Sequence, residues 1–141
     1  MKEKTFIIAE IGPNHNGSTK TALRMVDQLS KSGVDSIKFQ LGNPDKVYSV
    51  NSFKADYQKK NDKKKSIIEM AKSYQLSHKD HLKISKYCKK KKIIYSCTAF
   101  DLDSLKFLDK VIKVPFFKIA SGEVFSLDML DYISKRNKPI F

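Results

Sequence analysis

Cysteine, arginine and long apolar runs are all scarce in this chain, and each scarcity removes a class of protein. The two cysteines, Cys88 and Cys97, are not spaced as C-x-x-C. They suit neither a zinc site nor a dithiol redox centre, and small buried core residues are their expected role. No staple of that kind is needed, since 141 residues can bury a core by themselves. Near the N-terminus the apolar residues run only from Phe6 to Ala9 and, past Glu10, to Ile11. That is far short of a signal-peptide core or a membrane span, so a cytoplasmic protein with no membrane partner is expected.

Arginine is the more telling shortage. The chain carries 28 Lys and Arg against 15 Asp and Glu, a formal net charge of +13 that invites a nucleic-acid reading. Only Arg24 and Arg136 are arginine, whereas base-edge and bidentate phosphate recognition favour that residue. The runs Lys63 to Lys65 and Lys89 to Lys92 have no interleaved aromatics to stack on bases. Solvated helix faces, without a nucleic-acid partner, are the expectation. A basic field retains one use, which is to draw in a small, multiply charged anion.

Short apolar runs alternate with longer helical patterns, as in βαβ units over a parallel sheet. The first strand is expected at Thr5 to Ile11, nearly all apolar as if covered on both faces. A loop from Gly12 to Gly17 follows, then a helix capped by Ser18, with Ala22, Met25, Val26 and Leu29 on one side and Gly33 at its end. The second strand is Asp35 to Gln40, and a long polar segment runs from Leu41 to about Lys64. Helices follow at Ser66 to Gln75 and Ser77 to about Lys91, the second opened by a Ser77 and Asp80 capping box. The third strand is Ile93 to Cys97. Phe100 and Leu105 then flank Asp101 as a hydrophobic staple, ahead of a stripe of Leu102, Leu105, Leu108 and Val111. Phe116 to Ile119 is a fourth strand, and Ser126 caps a last helix carrying Leu127, Leu130 and Ile133. Pro139 to Phe141 opens a fifth strand. A closed barrel takes eight such units over about 250 residues, so the pattern reads as part of a longer enzyme.

In parallel α/β folds reactive groups collect where strands end. The strand ends carry Glu10, then Lys38 and Gln40, then Thr98, then Lys118, Ser121, Gly122 and Glu123. Lone charges are costly in buried strands, so two lysines and two glutamates on one rim point to a shared wet site. Lys38, Lys118, Thr98 and Ser121 suit a phosphate or carboxylate, and Ser121-Gly122 can add backbone N–H donors. Glu10 could orient a hydroxyl, move a proton or neutralise Lys38. His15, in the loop Pro13-Asn14-His15-Asn16-Gly17, is expected to shape that loop rather than bind metal, and His78 and His81 are expected on the surface.

The wording of these motifs is more specific than barrel logic. Phe6 to Gly17, reading FIIAEIGPNHNG, then Ile37-Lys38-Phe39-Gln40, then Lys118-Ile119-Ala120-Ser121-Gly122-Glu123 resemble the successive strand-end motifs of the sialic acid (nonulosonic acid) synthase family. Lys54 to Gln58 resembles the branch handling sialic and legionaminic acid precursors more than the pseudaminic branch. The resemblance implies the N-terminal portion of a parallel (β/α) TIM barrel, with about four βα units and the start of a fifth strand. It implies condensation of phosphoenolpyruvate with an N-acetylated aldose, giving a nonulosonic acid and phosphate. Lys38, Thr98, Lys118 and Ser121 would bind phosphoenolpyruvate. Gln40, Glu123, Tyr57 and Gln58 would face the sugar, and Glu10 would be the catalytic carboxylate. A divalent manganese or magnesium ion would polarise the aldehyde, held by ligands beyond Phe141, and the full-length enzyme would be a homodimer closed by an antifreeze-like domain. One departure is Cys97-Thr98-Ala99-Phe100 where the family reads Ser-Thr-Pro-Phe, which predicts a looser loop. Two rivals stay open at this stage: a class I aldolase using Lys118 as a Schiff base, and a non-catalytic basic binding module.

Overall fold

A computed structural model describes residues 5–49 and 66–141. Strands β1 (Ile8–Glu10), β2 (Ser36–Leu41) and β3 (Ile94–Ala99) lie parallel and in chain order. Glu10 pairs with Lys38, Lys38 with Ser96, and Gln40 with Thr98. Two single parallel bridges extend the ladder in the same order, Thr98 with Lys118 and Phe117 with Ile140. The fourth and fifth strands therefore have the expected place and direction but are reduced to bridge contacts. Phe117 N–H donates to Pro139 O and Phe141 N–H to Phe117 O, both at 2.9 Å. Pro115 and Pro139 have no N–H to lengthen either ladder.

The first strand is shorter than expected. Before it, the Ile7 carbonyl accepts from Asp35 N–H at 2.9 Å and Ser36 N–H at 3.1 Å, while the Ile7 N–H turns to the side-chain oxygen Asp35 Oδ2 at 2.9 Å. Helix α1 (Thr19–Leu29) begins at Ser18, whose hydroxyl accepts from Thr21 N–H at 3.2 Å. It stops at Leu29, before Gly33, whose φ of +83° serves the turn after it. The short α2 (Pro44–Val47) follows β2. Helices α3 (Ile67–Tyr74) and α4 (His78–Lys90) each open with a capping box, Ser66 with Glu69 and Ser77 with Asp80.

Two stripes differ from the helical reading. Helix α5 (Leu102–Phe107) widens into a π turn over Leu108–Ile112, which ends at Lys113 in the left-handed conformation with φ 62°. The wider turn rotates Val111 out to solvent while Leu105, Leu108 and Val114 stay buried. In α6 (Leu127–Ser134) the buried residues are Met129 and Ile133, and Leu127 is exposed. Ser126 does not cap that helix with its side chain; its hydroxyl donates to Glu123 Oε2.

One of the two histidines of α4 also departs from expectation. His81 is fully buried and its Nδ1 lies 2.7 Å from the Tyr95 hydroxyl. His78 is exposed, as expected, but stacks on Phe107 with ring centroids 4.2 Å apart. A Ser-capped helix start looks solvated from sequence, yet the third and fourth residues after the cap include one that faces the sheet.

Alternation sorts the sheet into two faces. Ile37, Phe39, Leu41, Tyr95, Cys97 and Ala99 lie buried under the helices, with Ile84 and Cys88 of α4 and Leu105 of α5. Both cysteines are free and buried. The opposite face is polar along most of its length: Ser36 and Ser96 join hydroxyls at 2.9 Å, and Lys38, Gln40 and Thr98 continue the same rows. At its N-terminal end this face closes on aromatics. Phe6 stacks on Phe141 at 6.2 Å, and Phe116 meets Phe6 at 5.9 Å and Phe141 at 4.8 Å. Phe6 precedes the first strand and Phe141 lies in the fifth, which a flat sheet would separate by on the order of 19 Å. The ladder is strongly curled.

Candidate active site

The polar face leads upward to a charged cluster at the C-terminal strand ends. Lys38 is held there by register, flanked by Glu10 on β1 and by Ser96 and Thr98 on β3. Its ammonium pairs with Glu10 Oε2 and donates to Thr98 Oγ1 at 3.1 Å. Gln40 Nε2 donates to the other Glu10 oxygen at 3.1 Å. The Lys38 side chain is 13% exposed and that of Glu10 44%, so the lysine is the desolvated partner and the carboxylate keeps an open side. An ammonium has three protons to donate, and Glu10 and Thr98 take two. The third is available to an incoming anion.

Lys118 joins from the next position along the ladder, bridged to Thr98. Its ammonium donates to the Ile119 carbonyl, and no described carboxylate pairs with it. A second cation, uncompensated by any described acid, thus stands across Thr98 from the first. Ser121 and Gly122 follow in an exposed 3-10 turn, Ser121–Glu123. Glu123 turns the other way, toward the Ser126 hydroxyl, and borders a separate hollow with Lys46, Asp101 and Asp103. Of the expected set, Glu10, Lys38, Gln40 and Thr98 come together with Lys118 bridged beside Thr98, Ser121 lies in the exposed turn that follows, and Glu123 is bonded to Ser126. Tyr57 and Gln58 lie outside the described residues.

His15 plays the expected part in its loop. It is buried, its Nδ1 accepts from Gly17 N–H at 3.1 Å, and burial lowers its pKa, leaving a neutral ring stacked 6.1 Å from Phe39. Gly17 is obligatory beside it: φ is +70° and a Cβ would lie 2.5 Å from the Ser73 carbonyl oxygen. Gly12 sits at φ +52°, a conformation in which a side chain is strained. A Cβ there would stand 3.1 Å from Glu10 Oε1 and 3.3 Å from Gln40 Nε2. Next to Gly12 opens a cleft of about 530 Å³, bordered by the His15 loop, Gln40, Tyr48 and the α3 residues Met70, Ala71 and Tyr74.

The loop after β3 does not depend on proline. Asp101 caps α5 through Ser104 N–H at 2.8 Å and reaches back to Asn43 N–H at 2.7 Å, while Phe100 N–H donates to Leu41 O at 2.9 Å. These bonds tie the β2 and β3 loops together, so Ala99 leaves the loop better anchored than the lost proline predicts. The alternation Ser36-x-Lys38-x-Gln40 was the signal for the polar row beneath the site. The Asp101 latch had no signal beyond its capping position.

Among the described residues no group of three or more His, Cys, Asp and Glu is placed to hold a metal ion, and no helix is long and apolar enough to cross a membrane. The N,N'-diacetyllegionaminic acid synthase of Campylobacter jejuni is 38% identical over 141 residues, which cover 98% of this chain and 41% of the Campylobacter protein. The Legionella pneumophila protein of the same name is 36% identical over 96% of this chain and 38% of its own length. An N-acetylneuraminic acid synthetase from Leptospira borgpetersenii, solved in complex with citrate, superposes with a TM-score of 0.82 at 28% identity, covering 98% of this chain and 44% of that one. The chain thus spans about two fifths of the length of the relatives it matches. With the sequence model of the NeuB family matching residues 25–141, the chain belongs to that family.

Proposed function

We propose that this chain is the phosphoenolpyruvate-binding front part of a closed (β/α) barrel that condenses phosphoenolpyruvate with an N-acetylated aldose. The observation that carries the reading is the ladder of Glu10, Lys38 and Thr98 with Lys118 beside it. Two cations and a hydroxyl on adjacent strands match a ligand with both a carboxylate and a phosphate. The curled ladder supports the barrel: in eight strands the first and fifth face each other across the axis, where Phe6 and Phe141 meet. Relatives named as synthases of legionaminic acid support the reaction class.

Lys38, Thr98, Lys118 and Ser121 bind phosphoenolpyruvate. Its C3 attacks the aldehyde carbon of the open-chain sugar, a C–C bond forms, and the aldehyde oxygen takes a proton. Water then adds at C2 and phosphate departs with its bridging oxygen. Glu10 is the catalytic carboxylate, held in register by Lys38 and aimed by Gln40. Gln40, Glu123, Tyr57 and Gln58 serve the sugar, Glu123 after turning from Ser126. The divalent ion implied by the family finds no ligand group among the described residues; its ligands would lie beyond Phe141, where it would polarise the aldehyde. The full-length enzyme is a homodimer.

The test is condensation by the full-length protein with phosphoenolpyruvate labelled at the bridging oxygen. Label recovered in inorganic phosphate is expected, and label retained in the sugar acid would overturn the proposed cleavage. Lys38→Met should cut kcat/KM by at least about 100-fold, as expected for loss of a transition-state charge contact.

A further inference from the structure

At the end of the sheet away from the proposed reacting groups, a groove of about 380 Å³ opens between the C-terminal half of α4, the start of β3 and the π turn. Its floor is apolar, with Leu82, Ile93 and Ile112, and Val111 stands exposed in its wall. The π turn puts Val111 there, since a regular helix would carry it onto the buried stripe with Leu108. Lys86 and Lys89 of α4 and Lys113 after the π turn complete the lining, and all three are exposed. Neighbouring cations are matched: Lys91 pairs with Asp27, and Arg136 and Lys138 share Asp109 of the π turn. The three lysines of the groove pair with no described carboxylate. The groove borders the N-terminal end of β3, whereas α2 and α3, which residues 50–65 join, stand at the C-terminal strand ends, tied by Lys72 to Asp45. Residues 1–4 precede β1, which β2 separates from β3.

We propose that this groove docks an acidic, amphipathic segment of a partner protein, with Val111 meeting an apolar anchor and Lys86, Lys89 and Lys113 pairing with the carboxylates that flank it. Shape and charge together choose the occupant. An apolar floor inside a cationic rim matches a helix or turn that shows one or two large apolar residues among Asp and Glu. Nucleic acid would leave the floor unused, and the lining offers it no arginine for bidentate contact and no exposed aromatic to stack on, since Tyr95 is buried. A lipid surface takes up protruding apolar side chains, and this floor is recessed. A second copy of this chain, at +13, would bring mostly like charge. Further strands of the proposed barrel would join at β1 and after Phe141, and neither borders the groove.

The test is fluorescence anisotropy on the full-length protein, with labelled peptides of about 12 residues whose Glu and Leu contents are varied independently. A peptide carrying both is expected to bind in the micromolar range, and replacing its Glu by Gln or its Leu by Ser should weaken binding by about 10-fold or more. Lys86→Glu combined with Lys89→Glu, and separately Val111→Asp, should each weaken it by a similar factor. All three positions are exposed, and circular dichroism confirms that both variants fold. Binding by no peptide of the series, or equal binding by wild type and both folded variants, would overturn the inference. So would tighter binding of an oligothymidylate or of phosphatidylserine vesicles that the same variants abolish. Neither variant touches the strand-end cluster, so the result stands whatever the outcome for condensation.

Discussion

Acidification should destabilise this protein first through one buried histidine. His81 is fully buried between α4 and the sheet, with Nδ1 at 2.7 Å from the Tyr95 hydroxyl and Nε2 without a partner. Protonation would give the ring two N–H donors and a charge. Tyr95 can accept one; the other would stay unpaired against the edge-on ring of Phe39. Burial also pushes the Tyr95 phenol well up, so no phenolate forms to balance the charge. Burial accordingly lowers the His81 pKa from 6.5 to about 4, which corresponds to about 3 kcal/mol of stability. Because the folded value is the lower one, that stability is present above pH 6.5 and is lost as pH falls toward 4. At pH 5 the expected loss is about 2 kcal/mol. His15, also lowered by burial, adds to it with the same sign. Asp27, Asp80 and Asp109 have folded pKa values below 3.8, so their losses come at lower pH.

The measurement is urea unfolding at pH 7.5 and pH 5.0, followed by far-ultraviolet circular dichroism. His81→Leu alone would leave the Tyr95 hydroxyl unpaired at a cost of about 1–3 kcal/mol, so the informative variant is His81→Leu with Tyr95→Phe, which removes both partners. The double variant should be near wild type in stability at pH 7.5 and should lose about 2 kcal/mol less on going to pH 5.0. If it loses as much as wild type, His81 is not the titrating group and the argument fails.

Three further outcomes follow from close contacts and charges. Gly17→Ala should destabilise by roughly 2 kcal/mol or more, read as a fall in Tm, because its φ of +70° and a Cβ at 2.5 Å from Ser73 O both oppose a side chain. Gly12→Ala should cost about 1 kcal/mol of stability, and a far larger share of condensation rate, by pushing Gln40 off Glu10. Borohydride reduction in the presence of pyruvate should leave Lys118 unmodified; a stable adduct on that residue would favour the aldolase and count against the synthase.

The strand ends were legible because strand alternation and strand length are local properties. Ile37, Phe39 and Leu41 alternate with Ser36, Lys38 and Gln40, which is enough to put three polar groups on one face without any knowledge of the fold. Which face a helical residue takes is less local. His81 follows a capping box among lysines and reads as solvated, but α4 turns it onto Tyr95, a residue distant enough in sequence that no spacing rule joins them. Val111 fails for a related reason: a period of 3.6 puts it on the stripe with Leu108, and only the π turn, which has no residue signature, takes it out.

Glu123 shows the limit of reading function from strand ends alone. Its position after Lys118 suggests the same rim, yet the 3-10 turn directs it to Ser126 and into a hollow with Asp101 and Asp103. The first strand makes the converse point. A nearly continuous apolar run predicted cover on both faces, and beside it Ser36, Ser96 and Thr98 are indeed buried, yet the face away from the helices carries hydroxyls, an ammonium and a carboxylate along β2, β3 and the end of β1. Polar rows like these are stable only if each member is satisfied by another, and Ser36 with Ser96 and Lys38 with Glu10 and Thr98 meet that condition. Lys118 does not, having only a neighbouring carbonyl among the described residues. A part-buried cation left without a counter-charge among the described residues is a poor element of a scaffold and a good element of an anion site, and that asymmetry between the two lysines is the strongest physical support for the proposed phosphoenolpyruvate site between them.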